Sequence, residues 1–571
     1  MGEKLRYRLA EATVVEPLVN QWSAWAQLIS PLPASLHLVN FQLLALSSYL
    51  EDPPAHVRAS RDPDLIGGPF VDIPAERADE IKDLLAATRE RQQLNIELAK
   101  AATDFQNWLA DEAQGQSLEP YYQMVPAALR GYVELTYDYY NHPIVRFFES
   151  LLYESRYYDK ELQSLRLWRL PHDSARPFFM STPRLLKADD INWRVSFDDA
   201  QVDELFKLDS RPQPLGHIKD LLGISQRDEG KLTSLLAAAE ERPAEMTGDE
   251  GIRIRYFGHA CILIEWKGTT ILSDPFIGVT PPQGGMARYS YQDLPRKIDF
   301  VLVTHSHQDH FALETLLRLR HRIGHLLVPK SSGLLYGDMS LKLMTRKLGF
   351  PQVSELEALE SIALPDGEIV SVPFLGEHGD LAHGKTAYVV RAGKEQILLG
   401  ADSDCLDRQL YVNLRQSLGA IGTVFLGTES VGAPLSWGCG PLFPRKPQHL
   451  IEQTRRYHGS NADRALEILT TVGARRVYVY ALGLEPWIEH LLGLGLTADS
   501  PQFLESEKLL AAWRNLGGAS ERLCGRADFM LPQTSASQPV FIPTSAVDCS
   551  GGRQVIFDSD DSTDAQDQFV F

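Results

Sequence analysis

Val-Leu-Val-Thr-His-Ser-His-Gln-Asp-His, residues 301–310, is the stretch on which the interpretation of this chain depends. An apolar run ends here, and four side chains that can bind metal follow within six residues: His305, His307, Asp309 and His310. Alternate side chains of an extended segment point to the same face, so His305 and His307 can bind one ion. Asp309 and His310 lie where a helical pattern begins and can reach a second ion. The stretch predicts a two-metal site at a strand end, and a solvated polar loop is the weaker interpretation.

The composition indicates a globular protein of two domains or more. The chain has 571 residues, of which 44% are hydrophobic and 23% charged, and this length exceeds a single hydrophobic core. A net charge of −19 argues against a nucleic-acid-binding surface, because phosphate contacts need clustered lysine and arginine. Five cysteines without a CxxC pair indicate a reducing compartment. With no apolar run long enough to cross a bilayer, we predict a cytoplasmic protein that binds neither nucleic acid nor membrane.

The sequence pattern changes near residue 248. Before this point helical periodicity dominates, which predicts a mainly helical N-terminal domain over residues 1–248 with one strand at 162–170. After it, short strands alternate with helical stretches, which predicts strands covered by helices in a catalytic domain over residues 249–571. The acidic segment 558–564 is interpreted as a solvated tail.

Three motifs of the second domain together resemble the metallo-β-lactamase superfamily. They are Gly258-His259-Ala260 before an apolar strand, Ser273-Asp274-Pro275 after the next hairpin, and His-x-His-x-Asp-His at residues 305–310. The resemblance covers roughly residues 250–490. It implies an αβ/βα sandwich with a two-metal site at one edge of its two sheets.

The same resemblance implies ligands from two later segments. One family ligand follows a glycine at a strand end, where this chain reads Gly376-Glu377-His378, so Glu377 takes that position and His378 is the alternative. The bridging aspartate corresponds to Asp402, with Asp404 as the second choice. Glu377 is also the catalytic residue that the resemblance implies. The implied metal ligands are His305, His307, Asp309, His310, Glu377 and Asp402.

Three further residues are expected to hydrogen-bond to ligands and to orient them: His259, Asp274 and, if Glu377 is the ligand, His378. Each also has an ordinary interpretation. His259 can be a core histidine, Asp274 can end a strand before a proline, and His378 can lie on the surface.

Two departures from the hydrolases of this fold bear on the chemistry. Glu377 replaces a histidine, and no histidine follows the predicted strand 477–480, while His490 falls on a predicted helix. Hydrolytic dizinc sites are rich in imidazole, whereas oxygen-donor ligands favour harder ions and open positions on iron admit dioxygen. The sequence therefore favours oxygen activation over hydrolysis.

With these departures the chain resembles a narrower group, the dinuclear-iron β-hydroxylases of the chloramphenicol-biosynthesis (CmlA) type. This implies two oxygen-bridged iron ions, with dioxygen and external electrons as co-substrates. The implied reaction is β-hydroxylation of an amino acid held as a thioester on the thiolation (peptidyl carrier) domain of a nonribosomal peptide synthetase, as part of antibiotic biosynthesis. It also implies an electron donor and a homodimer whose N-terminal domain covers the site. Aromatic and aliphatic side chains both remain open.

Two other functions compete with this one. The first is a dizinc hydrolase of a lactone, phosphodiester or thioester, which metal content and oxygen consumption would distinguish. The second is a metal-binding scaffold that has kept the fold and lost its chemistry.

Several residues outside the ligand set are candidates to face substrate or partner. Glu429 and the glycine-rich loop 436–441 would face the substrate, although such a loop can also be a tight turn. The basic pairs Arg445-Lys446 and Arg455-Arg456 would meet an acidic carrier domain and its phosphate, or they form a solvated charged face.

Overall fold

A computed structural model of the chain describes residues 5–240, 251–376, 381, 383–452, 454–493, 495–531 and 540–541. The predicted domain boundary at residue 248, Glu377 and His378 lie outside these described residues and stay predictions. Within the described part of the chain, every helix is too short or too polar to span a lipid bilayer.

The N-terminal domain is mainly helical, as predicted, but it also contains small antiparallel sheets that the sequence did not indicate. The predicted strand at 162–170 forms as Gln163–Arg169, and it pairs in a four-stranded antiparallel sheet. The helices are α1 (Ala26–Ile29), α2 (Pro31–His37), α3 (Leu43–Glu51), α4 (Pro53–Ser60), α5 (Ala78–Arg91), α6 (Gln93–Glu112), α7 (Glu149–Tyr153), α8 (Ala200–Lys207), α9 (Leu215–Leu222) and α10 (Glu229–Ser234). The strands are β1 (Arg6–Leu9), β2 (Thr13–Val19), β3 (Trp22–Ser23), β4 (Val133–Tyr137), β5 (Pro143–Phe147), β6 (Gln163–Arg169), β7 (Ile191–Trp193), β8 (Gln213–Pro214) and β9 (Leu236–Ala238).

The second domain alternates strands and helices, as its sequence pattern predicts. The strands are β10 (Ile252–Gly258), β11 (Cys261–Trp266), β12 (Thr269–Ser273), β13 (Ile298–Leu302), β14 (Ile323–Pro329), β15 (Val353–Leu356), β16 (Ser361–Leu364), β17 (Gly367–Val372), β18 (Ala387–Ala392), β19 (Glu395–Leu399), β20 (Thr423–Leu426), β21 (Arg476–Val479), β22 (Ala519–Arg522), β23 (Ala527–Leu531) and β24 (Val540–Phe541). The helices are α11 (Leu313–Leu319), α12 (Leu341–Lys347), α13 (Arg408–Leu418), α14 (Leu435–Cys439), α15 (His449–Glu452), α16 (Ala462–Val472), α17 (Glu489–Leu492) and α18 (Pro501–Asn515).

These strands form two facing sheets, in the orders β15-β14-β13-β12-β11-β10-β23-β24 and β16-β17-β18-β19-β20-β21-β22. One apolar core fills the space between them, with Ile264 of the first sheet and Phe425 of the second among its buried members. Helices α13, α16 and α18 cover the outer face of the second sheet through another core. The predicted αβ/βα sandwich is therefore confirmed.

Parallel strands bring the predicted site residues to one edge of the sandwich. Strands β12 and β13 run parallel, as do β19, β20 and β21. The carboxyl ends of parallel neighbours meet at the same sheet edge, and the segments that follow them lie side by side.

The N-terminal domain packs on the outer face of the first sheet. Phe206 of α8 and Leu316 of α11 belong to one buried core that spans both domains. A buried ion pair joins them as well, with Arg318 Nε 2.8 Å from Asp209 Oδ2. The N-terminal domain therefore supports helix α11, which directly follows the 301–310 stretch.

Candidate metal centre

The metal-binding motif begins where β13 ends, and Asp274 contacts both of its ends. Asp274 accepts hydrogen bonds from the Thr304 amide (2.8 Å) and the Thr304 hydroxyl (2.7 Å). Its Oδ2 atom also lies 2.9 Å from Nδ1 of His310. When Nδ1 donates to this carboxylate, Nε2 is the ring atom left to bind a metal. The expected contact between Asp274 and a ligand candidate is present.

Two imidazoles of the motif, those of His305 and His310, converge on Asp402, and the third, that of His307, lies beside His305. The ring centroid of His305 lies 4.7 Å from that of His307 and 4.2 Å from that of His310. Oδ2 of Asp402 is 3.4 Å from Nε2 of His305 and also 3.4 Å from Nε2 of His310. Asp402 therefore lies between two histidines of the motif, in the position expected of a bridging carboxylate.

Asp309 faces the same cluster together with His259. Its Oδ2 atom lies 3.6 Å from Nε2 of His310 and 3.1 Å from Nε2 of His259. His259 lies in the tight connection between β10 and β11, where its φ is +49°. The predicted contact of His259 with a ligand candidate is therefore present too.

Two other candidates lie outside the cluster. Asp404 binds Arg464, whose Nη1 is 2.7 Å from Asp404 Oδ2, and it accepts a hydrogen bond from the Cys405 amide. The structure therefore places Asp402, not the second choice Asp404, with the histidines. His490 lies on α17, as predicted, with its ring 6.3 Å from that of Phe276.

The charges of this cluster suit a bound cation. Although burial alone would lower it, the carboxylates of Asp402, Asp309 and Asp274 raise the pKa of His310 well above its usual value. Burial raises the pKa of Asp309, but His310 and His259 outweigh this and lower it to about 2. The buried Nε2 atom of His310 forms no hydrogen bond with any described residue. A negative potential around an imidazole nitrogen that forms no hydrogen bond, here Nε2 of His310, favours the binding of a metal ion.

The donor atoms form two overlapping groups. One contains His259, Asp309 and His310, and the other contains His305, His310 and Asp402. Within each group the ligand atoms lie within 4.8 Å of one another. Imidazole with carboxylate is a donor set that fits iron, so the residues present fit a dinuclear site.

A cavity of about 450 Å³ opens directly above this cluster. Its floor contains His307, Asp309 and Asp402, and its walls are largely apolar. Leu482, three residues after the end of β21, lies in the cavity wall. The hydrolases of this fold have their last histidine in this part of the chain, and this sequence has none there. Further lining residues include Trp25, Met180, Glu429, Trp437, Arg456 and Tyr457.

Several of these lining residues were not predicted from the sequence. Trp25 and Met180 belong to the N-terminal domain, and no local signal distinguishes them from core residues. The Tyr457 ring lies 5.0 Å from that of His307, although the two are 150 positions apart in the chain. The loop 436–441, predicted to face the substrate, begins within helix α14, and Trp437 of that helix reaches the cavity.

Glu429 lines the cavity, as the sequence indicated. Burial, followed by the negative charges of Asp402 and Asp309, raises the pKa of Glu429 well above its usual value. A cation held beside this carboxyl group would favour its ionised form.

The two predicted basic pairs lie in different places: Arg445 contacts the N-terminal domain, and Arg456 lies at the cavity. Arg445 binds the N-terminal domain, with its Nη2 2.6 Å from Oδ1 of Asp111. Arg456 lines the cavity, and its Nε donates a hydrogen bond to the Gly432 carbonyl (2.7 Å).

Comparison with known proteins identifies both parts of the chain. Residues 8–240 match the N-terminal domain of diiron non-haem β-hydroxylases, and residues 253–398 match a β-lactamase superfamily domain. The chain is 35% identical over 526 residues to the 4-amino-L-phenylalanyl-[CmlP-peptidyl-carrier-protein] 3-hydroxylase of Streptomyces venezuelae, covering 91% of this chain and 98% of the relative.

Solved structures agree with these matches. The crystal structure of CmlA, a diiron β-hydroxylase from Streptomyces venezuelae, superimposes with a TM-score of 0.85 at 34% identity, covering 93% of this chain and 100% of CmlA. A point mutant of CmlA superimposes with a TM-score of 0.83 at 34% identity, over 92% of this chain and 100% of the mutant.

The sandwich and its clustered donors define a metal-dependent protein of the metallo-β-lactamase superfamily. Within that superfamily, the chain belongs to the family of diiron non-haem β-hydroxylases. The predicted family, the oxygen-dependent hydroxylase class and the two-iron cofactor are thereby confirmed.

Proposed function

We propose that this chain hydroxylates the β-carbon of an aminoacyl group held as a thioester on a carrier domain of a nonribosomal peptide synthetase. One observation supports this most strongly: His307, Asp309 and Asp402 form the floor of a cavity large enough for an amino-acid side chain, and Asp402 lies 3.4 Å from both His305 and His310. The Streptomyces venezuelae relative, by its name, hydroxylates a carrier-bound aminoacyl group.

We propose the six ligands that the sequence implied: His305, His307, Asp309, His310, Glu377 and Asp402. Of the described donors, His305, His310, Asp309 and Asp402 would hold the ions, and Asp402 lies 3.4 Å from both His305 and His310. The iron pair, when bound and reduced by two external electrons, supplies the activation of dioxygen. In the net reaction a C–H bond becomes C–OH, and two electrons and two protons convert the second oxygen atom to water.

Other residues of this chain orient the proposed metal-binding side chains and shape the cavity. Asp274 orients His310, and His259 orients Asp309, through the hydrogen bonds already described. The apolar wall around Leu482 limits water at the floor of the cavity, which protects a reactive centre from side reactions.

The cavity supports an aromatic aminoacyl group as the substrate. Trp25, Trp437 and Tyr457 present rings, and Met180 a flexible thioether, to its interior. Such side chains pack favourably against an aromatic ring. The relative's substrate, 4-amino-L-phenylalanyl, is aromatic as well. The homodimer, the electron donor and the cytoplasmic location stay predictions.

The test is metal analysis followed by an oxygen reaction with a panel of loaded carriers. The purified protein is reduced anaerobically, its metals are measured, and oxygen is added with carrier domains bearing aromatic or aliphatic aminoacyl groups. We expect two iron ions per chain and a product heavier by one oxygen atom with aromatic groups. Zinc as the native metal, with release of the free amino acid, would instead support the hydrolase alternative.

Asp274→Asn should weaken the site without removing a ligand. Loss of the charge beside Nδ1 of His310 lets the ring adopt the other tautomer or turn. We expect metal affinity or hydroxylation to fall by about 10–100-fold, as is usual for residues that support a metal ligand. Equilibrium iron binding measures this, and an unchanged affinity would show that Asp274 serves only the backbone of Thr304.

Glu377→His should abolish hydroxylation while retaining metal. The substitution would restore the imidazole found at this position in hydrolases, and it shifts the preference of the site toward zinc. The measurement is metal content together with hydroxylation of a loaded carrier. Retained hydroxylation would mean that Glu377 is not a ligand and would turn attention to His378.

A further inference from the structure

Glu429 enters the cavity at the level of the proposed metal ligands, and the fold explains its position. Strands β19 and β20 run parallel, with Leu399 opposite Phe425. Asp402 comes three residues after the end of β19, and Glu429 comes three residues after the end of β20. The amide of Gly459 donates to the Glu429 carbonyl (2.8 Å), and a Cβ on Gly459 would come within 2.9 Å of the Asp402 carbonyl oxygen. The two segments therefore pack against the same glycine.

The carboxylate of Glu429 differs from its acidic neighbours in having no partner within the described residues. Asp309 lies beside His259 and His310, and Asp402 beside His305 and His310. Both are proposed ligands, so bound metal would neutralise them. No hydrogen bond or ion pair within the described part of the chain engages the Glu429 side chain, which nevertheless lines the cavity. A half-buried carboxylate in this situation is suited to a cationic ligand group.

We propose that Glu429 forms a binding subsite for the α-ammonium group of the aminoacyl substrate. The inference rests on the proposed function, because only an aminoacyl group brings this cation into the cavity. Hydroxylation requires the β-carbon to face the metals, and the α-carbon is one bond, about 1.5 Å, away. The ammonium on the α-carbon must therefore lie close to the metal ligands. Three N–H donors without an acceptor require such a partner when they leave water.

This subsite would select aminoacyl carriers over other acyl carriers. An acyl group of the same shape without the amino group would leave the Glu429 carboxylate unpaired beside the metals. Sites that bind a substrate polar group reject the analogue lacking it, because their own buried group then loses its partner. The carboxylate also fixes which face of the α-carbon meets the cavity wall, and so helps to direct one β-hydrogen toward the metals.

The experiment pairs two enzymes with two substrates. The iron-loaded protein and its Glu429→Gln variant are each titrated with one carrier domain, loaded either with an aromatic aminoacyl group or with the corresponding acyl group lacking the amine. Equilibrium binding and kcat/KM are both measured. The control is Glu161→Gln, a carboxylate in the N-terminal domain whose side chain is 88% exposed.

The unsubstituted protein and the control should prefer the aminoacyl carrier by about 10–100-fold, the range of a hydrogen bond to a charged group. Glu429→Gln should lose most of this preference through weaker binding of the aminoacyl carrier alone, and should keep both iron ions. Loss of iron would make Glu429 a metal ligand, and an equal loss with both substrates would assign it to the reaction itself. Either result, or an unchanged preference, overturns the proposal.

The two measurements separate this inference from the proposed function. If neither carrier is hydroxylated but the aminoacyl carrier binds more tightly in a Glu429-dependent manner, the subsite stands and the proposed reaction fails. If neither loaded carrier binds, both proposals fail.

Discussion

Asp402→Asn should remove the iron pair and with it the hydroxylation activity. The substitution preserves shape but replaces the charged oxygen that lies 3.4 Å from both His305 Nε2 and His310 Nε2. A neutral amide is a poor bridge between two cations, and each ion would lose a ligand. We expect the loss to exceed the roughly 100-fold upper range known for residues that only support a ligand. Iron content after gel filtration and turnover of a loaded carrier are the measurements.

Asp404→Asn is the matched control, because the two aspartates are two residues apart and both are buried. Asp404 pairs with Arg464 and accepts from the Cys405 amide. This variant should keep its iron but unfold at a lower denaturant concentration, because it loses a buried charge partner. Loss of iron from Asp404→Asn, with retention in Asp402→Asn, would reverse the assignment of the bridging ligand.

Glu16→Gln should strongly destabilise the N-terminal domain. Glu16 is 2% exposed, and three arginines surround it. Its Oε1 is 2.7 Å from Nε of Arg184, while Arg166 and Arg176 approach to 3.6 Å and 3.8 Å. Burial would raise the pKa of Glu16, but Arg184, Arg176 and Arg166 lower it well below its usual range. The carboxylate is therefore ionised at neutral pH and holds the arginines together.

The arginines are not equally dependent on Glu16. Arg166 has Asp190 at 2.7 Å, and Arg176 has Glu314 at 2.6 Å. Within the described residues Arg184 pairs with no other carboxylate, and it otherwise donates to backbone carbonyls such as that of Thr182 (2.7 Å). Neutralising Glu16 would leave a buried guanidinium without its counter-ion, which typically costs about 3–5 kcal/mol.

Denaturant titration of the apo and iron-loaded proteins measures this effect. The matched control is Glu154→Gln, which removes an exposed ion pair with Lys347 and should leave the unfolding midpoint unchanged. Equal midpoints for Glu16→Gln and the control would show that the arginine cluster does not depend on Glu16. Glu16 also contacts Arg176, which pairs with Glu314 of α11, and α11 follows the metal-binding motif. We therefore also expect Glu16→Gln to reduce iron retention.

The candidate site could be predicted from the sequence where its geometry is local. His305, His307, Asp309 and His310 lie within six residues, so their closeness in the chain keeps them near one another, although they lie in the turn between β13 and α11 and not in an extended strand or a helix. Asp402 was assigned as a metal ligand by family resemblance. Its position three residues after β19, at the shared sheet edge, brings it beside His305 and His310, and its role as a ligand stays a prediction.

Residues whose roles depend on packing between distant segments could not be predicted. Tyr457 reaches His307, and Trp25 reaches the cavity, only because the sheets and the N-terminal domain pack as they do. The arginines around Glu16 resemble surface charges in the sequence, since nothing local marks a charged side chain as buried. The short strands β1 and β2 were missed because their partners β8, β9 and β6 lie far along the chain.

The most direct test of the central claim is the origin of the oxygen atom in the product. A single turnover of the reduced iron-loaded protein with an aromatic aminoacyl carrier under ¹⁸O₂, followed by mass spectrometry of the intact carrier, reports it. We predict that the carrier keeps its thioester and gains one ¹⁸O atom on the β-carbon. Release of the free amino acid, or a product whose added oxygen comes from water, would contradict the assignment of this chain as an oxygen-activating β-hydroxylase.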